Sequence, residues 1–200
     1  MSKGKKRKLT KRKKKDHRKF FSFLIVIIIA AVLSAPFVTK LVEQRSYPLE
    51  NSDIVTKYCE EYGVPKELIY ATIKVESNFD PNAVSEAGAI GLTQIMPDTL
   101  DWLLSKTGES YTPEDLKNPE VSIKYCTLLY SLLLEEFKDQ KTATAAYHAG
   151  RGQVNEWLKN SEYSKDGKTL TKIPSSVTSH YVDKVDNALK IYNDLNKEEK

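Results

Sequence analysis

The chain has 200 residues, 40% of them hydrophobic, which suffices for one core of ordinary size and argues against several domains. Its formal charge of +4 is unevenly placed: residues 1–19 hold 12 of the 31 Lys and Arg against one acid, Asp16, so the remainder carries 19 basic and 26 acidic residues, a formal −7. The positive charge therefore belongs to a tail and not to the domain, and no nucleic-acid partner is expected for the domain.

The tail "MSKGKKRKLTKRKKKDHRKF" runs into "FSFLIVIIIAAVLSAPFV", an almost uninterrupted apolar segment over residues 20–38. As a helix such a segment spans roughly 28 Å, close to the hydrocarbon thickness of a bilayer. A basic tail ahead of it stays in the cytoplasm, so the expectation is a cytoplasmic tail over 1–19, a transmembrane anchor over 20–38 and an extracytoplasmic domain behind it. A cleaved signal peptide followed by secretion is the alternative, since "VLSAP" supplies small residues. Pro36 directly after Ala35 is a poor neighbour for a scissile bond, and the apolar run is long for a signal, which favours the anchor. A nucleic-acid role for the basic tail is the weaker rival because the apolar run follows it at once.

Residues 39–51, "TKLVEQRSYPLEN", show no sustained period and contain Pro48; they are expected to link membrane and domain. From residue 52 to 195 the signals are helical. Ser52 is the expected cap of a helix over "DIVTKYCEEY" that stops at Gly63, and Pro65 sits where a first-turn proline belongs for a helix over "KELIYATIKVES". Pro97 and Pro119 punctuate further segments. Beyond Pro119, Ile123, Cys126, Tyr130, Leu133 and Phe137 recur at steps of three and four and predict a long, largely buried helix. Two short helices follow over "TATAAYHAG" and "GQVNEWLKN", with Gly150 ending the first. Residues 161–174 read as a polar loop, and a last helix from about Ser176 to Leu195 carries Val182, Val185, Leu189 and Tyr192 on one face. No β-hairpin or repeat is visible, so the fold class is all-α, with one core.

Cys59 and Cys126 are the only cysteines. They can be read as one disulfide or as two small buried hydrophobes, and the sequence leaves both open. Without a CxxC or a His/Cys cluster, no metal site is expected.

The chemistry centres on "VESNFDPNAVSEAGAIGLTQIMPDT". Ile69, Thr72 and Ile73 lie seven, four and three residues before Glu76, so the glutamate shares their inward face. Burying an unpaired carboxylate disfavours its charged form and raises its pKa, as a general acid at neutral pH requires. On this helix alone, a glutamate at a helix end that simply turns into solvent is the better reading. The next residues add Pro81, Gly88 and Gly91, which let backbone come close, and Ser77, Ser85, Thr93 and Gln94, which reach for a polar, uncharged ligand such as a sugar.

The blocks "ES", "GAIGLTQIMP", "NPEVSIKY", "AAYHAG" and "IPSSVTSHYV", in this order and spacing across about residues 52–192, resemble the soluble-lytic-transglycosylase catalytic domain, a goose-lysozyme-like family. The resemblance implies a lysozyme-like fold and Glu76 as the sole acid/base. It would protonate the glycosidic oxygen between N-acetylmuramic acid and N-acetylglucosamine in peptidoglycan and then take the muramyl 6-hydroxyl proton, closing a 1,6-anhydro ring without water. An ordinary glycosidase needs two carboxylates, and the resemblance assigns no second acid beside Glu76; Asp80, before Pro81, reads as a turn former. By position, Ser77, Ser85, Gln94, Met96, Tyr147 and Tyr181 would bind substrate, with Tyr147 and Tyr181 as sugar platforms. No cofactor is implied, and the partner is the glycan strand.

Departures from the family pattern are Thr93 for methionine, His148 for asparagine, Cys126 for a common glycine, and Val177 for a glutamate in the family's "ET" pair. Two alternatives stand beside transglycosylase activity: a muramidase that leaves a reducing end, and a non-catalytic peptidoglycan-binding protein.

Overall fold

A computed structural model of the chain describes residues 20–25, 27–35, 38, 42 and 45–198. The chain divides into two units, Met1–Pro48 and Leu49–Lys200. In the first, residues 20–25 and 27–35 are helical and exposed. Among the described residues no helix is long and apolar enough to cross a membrane. The predicted basic tail and parts of the predicted anchor and linker lie outside the described residues.

The second unit is helical, and its elements are α1 Ser52–Tyr62, α2 Lys66–Glu76, α3 Pro97–Thr107, a 3-10 turn Pro113–Lys117, α4 Pro119–Phe137, α5 Gln140–Ala149, α6 Arg151–Leu158 and α7 Ser176–Glu198. The helices fall in the expected order with ends shifted by a few residues, the 3-10 turn was not expected, and two N-termini differ in their caps. The cap of α1 is Asn51, in the left-handed region with φ 56°, and Ser52 is already helical; asparagine tolerates that conformation and serine gains nothing from it. Pro65 likewise caps α2 from outside, with extended ψ 132°. Gly63, Gly108 and Gly150 follow α1, α3 and α5 as expected of glycine at helix ends.

The core forms around α4, whose predicted stripe of Ile123, Cys126, Tyr130, Leu133 and Phe137 is buried throughout. Helices α1 and α5 pack on α4, and α7 packs on α2 and α5. Aromatic pairs fix two of these contacts: Tyr70 of α2 stacks on Tyr192 of α7 at 5.4 Å, and Tyr130 of α4 on Tyr147 of α5 at 4.6 Å. Such pairs add about 0.5–1.5 kcal/mol beyond area burial. Thr72 of α2 donates to its own turn at Leu68 O (2.8 Å) and lies 3.0 Å from the Tyr130 hydroxyl, satisfying polar groups the core would otherwise penalise. Cys59 and Cys126 are buried free thiols, so the reading as small hydrophobes describes them and the disulfide does not.

The segment between α2 and α3 has no regular structure beyond isolated bridges, Val84 with Ile90 and Ile90 with Ile95. Its course is fixed at both faces. Immediately after α2, Asn78 and Phe79 are both left-handed, with φ 52° and 67°. For a bulky aromatic this conformation costs energy, and it persists because the Phe79 side chain is buried, 8% exposed. Gly91, with φ 81°, passes so close to the 3-10 turn that a Cβ there would lie 2.0 Å from the Leu116 carbonyl oxygen. Only glycine satisfies both demands.

Candidate active site

Glu76 is the last residue of α2 and is half-buried. Its Oε1 accepts a 2.6 Å hydrogen bond from the Tyr181 hydroxyl of α7. Burial raises the carboxyl pKa to about 7, against the opposing effect of the Tyr181 bond, which favours the charged form. The C-terminal end of a helix also disfavours added negative charge, so position and burial act in the same direction. Among the described residues no ion pair involves Glu76. The result is an isolated acid that exchanges its proton near neutral pH, held in place by a phenol.

Tyr181 is 7% exposed, and its pKa is driven far up, first by burial. It therefore stays a donor to Glu76. A sugar platform needs an open ring face, and this ring is covered; on its other side lies His148 of α5, with centroids 4.5 Å apart. The expected substrate contact is thus placed behind the acid.

The remaining expected residues divide into those that build the loop wall and those that face outward. Ser77 donates to Leu92 O at 2.8 Å, tying the end of α2 to the far side of the loop. Ser85 Oγ accepts from Ala89 N at 2.9 Å and closes the tip. The Gln94 amide donates to Ala83 O and Gly91 O at 3.1 and 3.0 Å, from a left-handed backbone with φ 49°. Tyr147 donates to Thr93 O at 2.7 Å and reaches Cys126 Sγ at 3.5 Å, so α5 clamps the same loop. Met96, just before α3, is 39% exposed. Tyr181 is therefore joined directly to Glu76, while Ser77, Ser85, Gln94 and Tyr147 each bond to the loop backbone.

Three positions that depart from the family pattern, Thr93, His148 and Val177, take places here that the motifs do not foretell. Thr93 Oγ1 sits 2.8 Å from Ser122 Oγ of α4, fastening the loop where the family pattern has methionine. His148 Nδ1 lies 3.3 Å from Thr178 Oγ1, and Thr178 Oγ1 donates to Ser175 Oγ at 3.2 Å. Val177 is 67% exposed beside them. A Ser-x-x-Thr ahead of a helix is a readable capping pattern; its link to a histidine thirty positions earlier is not. Among the described residues no group of three or more His, Cys, Asp or Glu is arranged to hold a metal ion.

This arrangement of helices and loop is found in known proteins. It coincides with the crystal structure of the 70 kDa soluble lytic transglycosylase of Escherichia coli at TM-score 0.68 and 28% identity, over 76% of this chain and 25% of that one. An inactive mutant of the lytic transglycosylase Slt from Pseudomonas aeruginosa matches at TM-score 0.67 and 30% identity, over 76% and 25%. The domain is thus one of the helical, lysozyme-like folds. Residues 53–170 match the family described as Transglycosylase SLT domain, and the chain belongs to that family. The soluble lytic murein transglycosylase of E. coli K12 is 34% identical over 149 residues, 72% of this chain and 23% of its own length. The membrane-bound lytic murein transglycosylase C of Histophilus somni is 29% identical over 172 residues, 74% and 46%. The chain therefore spans from about a quarter to under half the length of these relatives.

Proposed function

We propose that the protein is a peptidoglycan lytic transglycosylase that cleaves the β-1,4 bond between N-acetylmuramic acid and N-acetylglucosamine, with Glu76 as its single acid/base. The observation that carries this reading is the lone carboxyl with a pKa of about 7, held by Tyr181. An acid in that range is protonated often enough to donate and, once ionised, basic enough to take a proton back.

With Oε1 engaged by Tyr181, Oε2 carries the travelling proton. Protonation of the glycosidic oxygen breaks the bond to muramyl C1, and the leaving sugar departs as an alcohol. The positive charge left on C1 and the ring oxygen is then quenched by the muramyl 6-hydroxyl oxygen, whose proton returns to Glu76. The enzyme ends in its starting state, and no water is consumed. A hydrolase would need a second carboxylate to activate water or trap the sugar, and among the described residues Glu76 has a phenol and no acid as its bonded partner.

The loop anchored by Ser77, Ser85, Gln94 and Tyr147 is read as the cleft wall for the glycan strand, with Met96 as a contact on its open side. The family relatives are named for lytic murein transglycosylase activity, and one solved relative is described as an inactive mutant, which supports this reading. The apolar segment 20–38 behind a basic tail is further read as a single-pass anchor that holds the domain outside the cytoplasmic membrane. The name of the membrane-bound relatives is consistent with that placement.

Digestion of purified peptidoglycan by the full-length protein in detergent, with products resolved by mass spectrometry, tests the central claim. Muropeptides with 1,6-anhydro ends are expected; products heavier by one water would make the enzyme a muramidase. If wild-type and Glu76→Gln proteins bind the wall equally and neither releases soluble product, the protein is a binding module. Protease added to intact protoplasts should remove the domain, and protection would reverse the topology.

A further inference from the structure

His148 has no part in the reaction described above, yet its ring lies on Tyr181, whose hydroxyl holds Glu76. It occupies the last turn of α5 and is exposed. The hydrogen bonds around it determine which nitrogen faces out. Thr178 has one hydroxyl proton, and that proton goes to Ser175 Oγ at 3.2 Å. The 3.3 Å contact between Thr178 Oγ1 and His148 Nδ1 then requires the proton to come from the imidazole. An imidazole that donates from Nδ1 leaves Nε2 as a bare acceptor.

From this geometry we propose that His148 is a substrate-contact residue, presenting Nε2 as a hydrogen-bond acceptor to an amide N–H or hydroxyl of an amino sugar bound beside Glu76. The proposal rests on the reading of this region as a glycan cleft. Two features make the acceptor well placed. Tyr181 on one face and Thr178 at Nδ1 fix the ring's position and tilt, so little side-chain freedom remains to be lost when a ligand binds. Protein cover over part of the ring also holds its pKa below the ordinary histidine value, which keeps the ring neutral and Nε2 unprotonated at neutral pH. Among common glycan groups, a neutral acceptor selects the acetamido N–H and the hydroxyls and gives nothing to a carboxylate.

The test separates binding from turnover. In the full-length chain carrying Glu76→Gln, the dissociation constant of a tetrasaccharide of alternating N-acetylglucosamine and N-acetylmuramic acid is measured by calorimetry, with and without substitutions at 148. His148→Phe keeps a ring on Tyr181 and loses the acceptor; affinity should fall about 3- to 10-fold, the worth of one net hydrogen bond. His148→Gln places an amide oxygen near the Nε2 position and should recover most of the loss. His148→Asn reaches only the Nδ1 position, restores the Thr178 contact, and should not recover it. Equal affinity of the Phe variant and its parent overturns the proposal, as does recovery by Asn equal to that by Gln, which would make His148 a prop for Thr178. In the otherwise wild-type enzyme the Phe substitution should raise KM and leave kcat within about twofold; a fall in kcat alone overturns the assignment. Because the tetrasaccharide titration needs no turnover, binding without cleavage by the wild-type protein would sink the proposed activity and leave the His148 result standing. Cleavage by the wild type with no tetrasaccharide binding to the Glu76→Gln chain would do the reverse.

Discussion

The Tyr181 hydroxyl donates to Glu76 Oε1 at 2.6 Å across 105 positions of sequence, and the two residues oppose each other in effect. Burial pushes the acid up and the phenol pulls it back. Tyr181→Phe removes the pull. In the proposed reaction the acid must be protonated at the start, so the alkaline limb of the pH–rate profile should move to higher pH in the variant. At the same time kcat should fall roughly 10- to 100-fold, as expected for loss of a hydrogen bond to a charged or ionising group that also sets its orientation. A pH profile of muropeptide release measures both.

Glu76→Gln should abolish anhydro-product formation and make the fold more stable at alkaline pH. The carboxyl's folded pKa, about 7, lies above its ordinary unfolded value near ~4.3. Between these values the folded state binds more protons, so Glu76 costs stability progressively as pH rises through that window and the full cost is present above it. The glutamine variant should gain on the order of 1–3 kcal/mol at pH near ~8, after discount for the residue's partial exposure, and the gain should shrink towards zero near ~4. Urea unfolding of both proteins at the two pH values checks this, and a gain that does not depend on pH would refute the linkage.

Gly91→Ala should destabilise the domain by about 3 kcal/mol or more. The new methyl would sit 2.0 Å from the Leu116 carbonyl oxygen on a backbone with φ 81°, and that oxygen belongs to main chain that has no side-chain freedom to move aside. Gly88→Ala meets no atom within 4 Å and should cost only the left-handed penalty, about 1–2 kcal/mol. Chemical denaturation of the pair separates crowding from conformation.

Cys59 and Cys126 should resist thiol reagents in the native state. Burial pushes Cys59 up to about 12 and Cys126 higher still, so the reactive thiolate is scarce and the sulfur is inaccessible. Labelling by an aromatic disulfide reagent is expected only on unfolding, with two equivalents released; fast labelling of the folded protein would contradict the packing of α1 against α4.

The long buried helix was legible because five residues of α4 at steps of three and four admit one face, and the buried Tyr130 and Phe137 lie on it. The face that Glu76 shares with Ile69, Thr72 and Ile73 was legible in the same way, but that face alone favours a helix end turned into solvent, and the acid is singled out only by its place among the matched blocks. The cap of α1 was misplaced by one residue because Asn51 adopts a left-handed conformation, which composition favours but does not dictate. Tyr181 was picked out by position in a block, but its covered ring and its bond to Glu76 arise from α7 lying along α2, a relation no local pattern carries. The left-handed Phe79 could not be foreseen, since its backbone contradicts its own preference and only burial of the ring holds it there. For Ser85 and Gln94, hydrogen-bonding capacity is visible in the residue types, but the backbone groups that receive it appear only when the loop closes on Ala83, Ala89 and Gly91.

Asn78 and Phe79 form a corner directly behind the acid, locked by a buried ring on one side and by the Ser77 bond to Leu92 O on the other. Such a corner removes the hinge that a mobile glutamate would need. The bearing of Glu76 is therefore set when the chain folds, and under the proposed activity a glycan strand would meet an acid that is already oriented.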